Sequence, residues 1–342
     1  MEASTPQSLG RKPRVLSIAS PSYAGDDFVS KFQSTCDLHI ILPSDRKGTV
    51  QAISDARKSD GPFDGVLIGM GNGGYERFDE GLLGPLLPEL KIVASVNAGY
   101  SEFDMEWFNK NKIVVTNTVD AVAEPTADIA IFLMLGALRD TSRLEAEIRN
   151  GGWRGGSKLP LLDPKGRTLG IIGMGKIGKH VARKSQVFGM KAQYFNRTRL
   201  SPEEEGRLTV EYTGSLEALL KTSDVVSINC PLTPETRGLI GAEEFKMMKD
   251  GVILVNTGRG AVVDEAAFIE ALESGKVARA GLDVFDGEPN VNSYFRNSTR
   301  CIVQPHMGSW TDVAWGNAYR EAMDNFAAFV TTGKAVSQVN SF

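Results

Sequence analysis

One segment constrains the fold more than any other. Thr168-Leu-Gly-Ile-Ile-Gly173-Met-Gly175-Lys-Ile-Gly178 places the spacing G-x-G-x-x-G at the end of an apolar run and at the mouth of a helical stretch that ends near Gly189. In that context the pattern predicts the first strand, turn and helix of an open parallel sheet that takes a dinucleotide. Gly173 permits the tight turn, Gly175 lets backbone approach a pyrophosphate, and Gly178 lets helix and sheet pack closely. The helix N-terminus adds N–H donors and the positive end of a dipole. The alternative is a structural glycine-rich turn; the second strand expected at Lys191 to Phe195 weighs against it.

The end of that second strand sets the form of the dinucleotide. An acid there would accept a hydrogen bond from the ribose 2′-hydroxyl of NAD. This chain instead has Asn196-Arg197-Thr198-Arg199, which offers two guanidinium groups and a hydroxyl and has no carboxylate to repel a phosphate. NADP(H) is therefore the expected cofactor, with NAD(H) second. The alternative is that Arg197 and Arg199 form a solvated loop face.

Around this unit the chain alternates apolar strand-like runs with helical stretches. Arg14 to Ala19, Leu38 to Leu42, Gly65 to Ile68, Lys91 to Ser95 and Lys112 to Thr116 form a first series. Thr168 to Ile172, Lys191 to Phe195, Val225 to Asn229, Gly251 to Asn256, Ala280 to Phe285 and Cys301 to Gln304 form a second, Rossmann-like series. One long helix from Pro125 to Arg149, with its proline in the first turn, is expected to bridge them. A helical tail from Ser309 onward carries Trp310, Trp315 and Phe326. The fold class is α/β with two Rossmann-like parallel-sheet domains, and 342 residues suit two domains. A net charge of −4 argues against a nucleic-acid partner. Three cysteines without a CxxC pair point to a reducing, cytoplasmic setting. Met1 to Arg14 is polar and lacks the apolar stretch of a secretory signal. The longest apolar stretch, Ile129 to Leu138, is too short to cross a bilayer and reads as a buried helix, so no membrane partner is expected. No metal is expected.

Ligands of open α/β sheets sit at the carboxyl ends of strands, and three reactive residues follow strands here: Arg259, Glu288 and His306. The chain has three histidines. His39 lies inside a predicted strand, and His180 lies on the fingerprint helix among Lys179, Arg183 and Lys184, on a face expected to be exposed. His306 remains as the acid that reduction of a carbonyl needs. Glu288 would orient the ring and favour imidazolium, and Arg259 would hold a substrate carboxylate and polarise the reacting carbonyl.

Together these motifs resemble the D-isomer-specific 2-hydroxyacid dehydrogenases, and within them the glyoxylate and hydroxypyruvate reductases. The resemblance includes Asn229-Cys-Pro-Leu-Thr-Pro-Glu-Thr236, Val255-Asn-Thr-Gly-Arg-Gly260, Gly281-Leu-Asp-Val-Phe285 with Glu288-Pro289, and Gln304-Pro-His-Met-Gly-Ser309. It implies catalytic roles for Arg259, Glu288 and His306. It also implies a flavodoxin-like substrate domain, 1–118 with 309–342, around an inserted dinucleotide-binding domain, 119–308. Cofactor contacts implied by the match are Thr126, Lys176, Ile177, Cys230, Thr257, Gly258, Asp283 and Gly308, beside the fingerprint glycines and Asn196 to Arg199. Val96-Asn-Ala98-Gly99-Tyr100 resembles the substrate loop, whose N–H groups at Ala98 and Gly99 would hold the carboxylate; an ordinary strand-ending turn is the alternative. Gly69 to Gly74 reads as a further wall of the site. A homodimer is implied as well. Gly151-Gly-Trp153-Arg-Gly-Gly156 resembles the dimer arm, with Gly156 where some reductases carry a second tryptophan.

Formate dehydrogenases share this architecture but pair the histidine with glutamine, and Glu288 argues against them. Dinucleotide-sensing corepressors are an alternative of another class; an acid at position 196 would suit them better. Among substrates, glyoxylate and hydroxypyruvate lead. Bulkier aromatic 2-oxo acids are the alternative, because Tyr75 and Tyr100 flank the proposed loops.

Overall fold

Aliphatic and β-branched runs build two parallel sheets in the computed structural model, which describes residues 11–42, 45–69, 77–154 and 161–342. The chain divides into two units: one runs to Val122 and resumes at Trp310–Phe342, the other is Ala123–Ser309.

The first unit holds β1 (Arg14–Ile18), β2 (Asp37–Ile41), β3 (Gly65–Ile68), β4 (Ile92–Ser95) and β5 (Val114–Thr116) in the order β2-β1-β3-β4-β5. Every pairing is parallel, and the order is that of flavodoxin-like sheets. β3 and β4 are buried at every position, which is why they read as unbroken apolar runs rather than as alternating strands. The helix Asp312–Thr332 starts on a Thr311 cap and packs Ala318, Tyr319, Ala322, Met323 and Phe326 into the cluster holding Leu67, Ile92 and Ala94. After Gly333 the chain returns along β5, where Val339 N–H donates to the Val115 carbonyl at 2.9 Å.

The second unit holds β6 (Thr168–Ile172), β7 (Lys191–Phe195), β8 (Val210–Tyr212), β9 (Val225–Ile228), β10 (Val252–Asn256), β11 (Val277–Leu282) and β12 (Cys301–Val303). Their order is β12-β11-β10-β9-β6-β7-β8. Counted from β6, this is the 3-2-1-4-5-6 order of a dinucleotide-binding fold with a seventh strand added.

Several local expectations are corrected. The long helix expected from Pro125 to Arg149 is two helices, Asp120–Leu138 and Thr141–Arg149. Between them Asp140 adopts a left-handed backbone, φ +54°, with its carboxylate accepting from Arg143 Nε at 2.6 Å. Pro125 lies inside the first of these helices rather than in its first turn, because that helix begins at Asp120. β8 was not expected; it has three residues, too few for an alternation to register. β11 begins at Val277 and ends at Leu282, three residues before the predicted end at Phe285. The helix Asp120–Leu138 is long and apolar enough by composition to cross a membrane, yet 61% of its apolar window is buried within the protein.

Candidate active site

The fingerprint turn is built as its spacing requires. Gly173 has φ +95°, and a Cβ there would fall 2.7 Å from the Cys230 nitrogen, so only glycine fits between β6 and β9. A Cβ on Gly178 would fall 2.3 Å from the Gly173 carbonyl, which ties the helix Lys176–Val187 tightly to the turn. A Cβ on Gly175 meets no atom within 4 Å, so the backbone there can be approached closely. At the carboxyl ends of the neighbouring strands, Asn229 Oδ1 and Thr257 Oγ1 are buried without a hydrogen-bond partner among the described residues. Orphaned polar atoms of this kind are costly unless a ligand satisfies them. This donor set fits a nicotinamide dinucleotide. Burial pushes the Cys230 thiol up to about 11, so Cys230 is a neutral thiol whose backbone flanks Gly173.

Past β7 the two arginines differ. Arg199 gives a two-pronged hydrogen bond to Glu205, Nε and Nη2 each at 2.8 Å, and lies 5.2 Å from the Tyr212 ring. Tyr194 donates to the same Glu205 at 2.6 Å and accepts from Leu200 N–H at 2.9 Å. The Arg199 and Tyr194 hydrogen bonds hold the Glu205 carboxyl down to about 2, while burial and Glu205 push the Tyr194 phenol up to about 12. Asn196 Nδ2 donates to the Thr198 carbonyl at 2.8 Å and closes the loop. Arg197 is exposed and has no hydrogen-bond or ion-pair partner among the described residues.

The three reactive residues lie in the second unit. His306 Nδ1 and Glu288 Oε2 are 2.7 Å apart, leaving Nε2 for a substrate; Glu288 Oε1 accepts from Phe285 N–H at 2.7 Å. Burial pushes the Glu288 carboxyl up, but the His306 hydrogen bond and charge, the Phe285 N–H and nearby Arg259 outweigh it and hold it below the usual carboxylate range. His306 has a left-handed backbone, φ +56°, a state that few non-glycine residues adopt. Asp283, 1% exposed, holds that loop: its carbonyl accepts from His306 N–H at 2.8 Å, and its carboxylate accepts from Met307 and Gly308 N–H at 2.8 and 2.9 Å. Burial raises the Asp283 carboxyl despite these donors and the nearby His306 charge. Thr126 lies beside the same loop, since a Cβ on Gly308 would be 3.5 Å from its methyl.

Arg259 is placed by Asn256, a buried amide at the end of β10 that donates to the Arg259 carbonyl and accepts from Gly258 N–H, both at 3.0 Å. Gly260 then runs directly against the next loop: a Cβ there would fall 1.9 Å from the Phe285 carbonyl carbon. The Arg259 and Glu288 loops are thereby locked together. Asn256 is a site residue that the sequence reading passed over, although a polar residue ending an otherwise apolar strand is a visible signal.

The other two histidines have local partners. His39, on β2, faces Asp60 at 3.2 Å and packs on Phe63. His180 is half-buried rather than exposed, with Arg183 at 3.4 Å, and burial lowers its pKa.

In the first unit, the loop after β4 is tied back at two carbonyls. The Asn97 carbonyl accepts from Thr118 N–H at 3.2 Å, and the Ala98 carbonyl accepts from Asn117 Nδ2 at 2.7 Å. Carbonyl and N–H point opposite ways in a trans peptide, so the N–H groups of Ala98 and Gly99 are both turned away from the 117–118 segment. Neither donates to a described group. Tyr75, Gly156 and residues 70–74 lie outside the described residues.

Known proteins resemble this chain in sequence and in fold. Residues 131–308 match the family model described as D-isomer specific 2-hydroxyacid dehydrogenase, NAD binding domain. The chain is 48% identical over 336 residues to a dehydrogenase, efuE, of Hormonema carpetanum, covering 98% of this chain and 84% of that one. It is similar to the crystal structure of a glyoxylate reductase from Paecilomyes thermophila, with TM-score 0.87 and 35% identity over 96% of this chain and 98% of that one. It is also similar to the holo D-mandelate dehydrogenase of Rhodotorula graminis, with TM-score 0.88 and 29% identity over 96% and 98% of the two chains.

Proposed function

This chain belongs to the D-isomer-specific 2-hydroxyacid dehydrogenases, oxidoreductases that act on a CH–OH group with a nicotinamide dinucleotide, and from that premise we propose that it reduces glyoxylate or hydroxypyruvate with NADPH. The observation that carries the proposal is the 2.7 Å Glu288–His306 pair on the loop held by Asp283, with Arg259 acting on the same carboxylate.

The bound dinucleotide supplies a hydride. Gly173, Gly175, Lys176, Ile177 and Gly178 would hold its pyrophosphate, and Asn229 and Thr257 offer polar atoms at the adjoining strand ends. Thr126, Cys230, Gly258, Asp283 and Gly308 would complete its surroundings. Asn196, Arg197 and Thr198 would take the 2′-phosphate, with Arg199 already committed to Glu205. The N–H groups of Ala98 and Gly99 would be donors to a substrate carboxylate, and Arg259 would bind the acid and polarise its carbonyl. His306 Nε2–H would give its proton to the carbonyl oxygen, while Glu288 at Nδ1 fixes the tautomer and stabilises the imidazolium. The product is the D-2-hydroxy acid.

The likeness to D-mandelate dehydrogenase favours a second reading, an aromatic 2-oxo acid. Following NADPH and NADH oxidation against glyoxylate, hydroxypyruvate, pyruvate and phenylpyruvate separates the two. The first reading expects the two small acids and NADPH to give the highest kcat/KM. A clear preference for phenylpyruvate would overturn the small-acid assignment and leave the mechanism in place. Three free cysteines support a reducing, cytoplasmic setting. The exposed Phe132, Ile148 and Trp153 support a homodimer.

A further inference from the structure

We propose that Asn117 is the positioning residue for the substrate carboxylate, held in place by the C-terminal turn of the chain. This rests on the reading of Ala98 and Gly99 as carboxylate donors. The orientation of the Ala98–Gly99 peptide decides whether a donor or an acceptor meets the anion. A flip of that peptide would replace the Gly99 N–H with the Ala98 carbonyl. The side-chain bond opposing that flip is the 2.7 Å donation from Asn117 Nδ2 to the Ala98 carbonyl.

Asn117 is 7% exposed, and its backbone is fixed from the far end of the chain. Ser337 Oγ donates to the Asn117 carbonyl at 2.5 Å, and Asn117 N–H donates to the Ser337 carbonyl at 3.3 Å. Ser337 is in turn seated by Asn325, which is fully buried on the helix Asp312–Thr332. Asn325 Oδ1 accepts from Val336 and Ser337 N–H at 3.0 and 2.8 Å, and its Nδ2 donates to Ser337 Oγ at 2.9 Å. An unbroken polar chain thus runs from Asn325 through Ser337 and Asn117 to the loop after β4. A purely apolar contact would pack the tail as well but would not orient a peptide.

The test uses the 2-oxo acid that the wild-type enzyme turns over best, with NADPH affinity read separately by fluorescence titration. Asn117→Ala should raise KM for the acid roughly tenfold, the loss expected for one hydrogen bond acting through a charged ligand, with kcat and NADPH Kd within about twofold of wild type. Asn117→Asp should raise KM further, because its carboxylate opposes the Ala98 carbonyl and favours the flipped peptide. Ser337→Ala should give a smaller effect in the same direction, and it carries the test if the Asn117 variants do not fold. Gly99→Pro, which removes one proposed donor, is the control. If Gly99→Pro raises KM and the Asn117 and Ser337 variants do not, the inference is overturned and the loop reading survives. If none of them raises KM, the loop reading itself fails. Equal losses in KM, kcat, NADPH Kd and melting temperature would reduce Asn117 to a structural residue and overturn the inference.

Discussion

At the scale of single residues, the account turns on which groups are held and which are left to act. His306 is held at Nδ1 by Glu288 and at its backbone by Asp283, so one ring nitrogen remains for chemistry. His306→Ala should lower kcat by about 10²- to 10⁴-fold with NADPH Kd unchanged, measured by steady-state kinetics and cofactor titration. Glu288 acts on pH dependence, and its sign follows from the lowered carboxyl. A lowered folded-state value means that its stabilising contribution is complete above the ordinary carboxylate range and is lost as pH falls through the lowered value. Near neutral pH it is fully ionised. Glu288→Gln should therefore lower stability at neutral pH and have less effect in acid below the carboxylate range, read from denaturant unfolding at the two pH values; an equal loss at both would remove the ionised carboxylate from that role. Arg197 and Arg199 were equivalent in the sequence, and only the fold tells them apart. Arg197→Ala should lower kcat/KM for NADPH about 10- to 100-fold and leave NADH nearly unaffected, as expected for one charge-assisted contact. A similar loss with Arg199→Ala alone would reverse the assignment.

At the scale of elements, the strands carrying the site were legible because parallel sheets bury both faces and leave apolar runs. β6 and β7 match their predicted bounds, and the fingerprint glycines sit where the spacing implied. The misses have physical causes. β8 is too short to show a period, and the break at Asp140 depends on a left-handed residue held by Arg143, which propensity does not reveal. The Asn117 brace was invisible because its partners, Ser337 and Asn325, lie more than 200 residues away in sequence. Gly178→Ala tests the packing of turn against helix. The added Cβ would press on the Gly173 carbonyl, which is backbone and gives little way. About 1–3 kcal/mol of destabilisation is expected in denaturant unfolding, together with weaker dinucleotide binding. An unfolding midpoint equal to wild type would show that the turn relaxes.

At the scale of the whole molecule, the chain carries a flavodoxin-ordered sheet and a dinucleotide-binding sheet, and its last helix joins the first unit after the second is complete. The family and the fold were legible because their motifs lie in order along the chain. Sedimentation should give a dimer, and Trp153→Asp should shift it toward monomer, since this ring is 75% exposed. A wild-type monomer would remove the dimer from the account. The central claim is proton transfer from His306 to a small 2-oxo acid at the expense of NADPH. The most direct measurement is the rate of NADPH oxidation with saturating glyoxylate or hydroxypyruvate, wild type beside His306→Ala. The account predicts turnover by the wild type and its near-complete loss in a variant that still binds NADPH. Turnover retained in His306→Ala, or absent from a wild-type protein that binds NADPH, would contradict it.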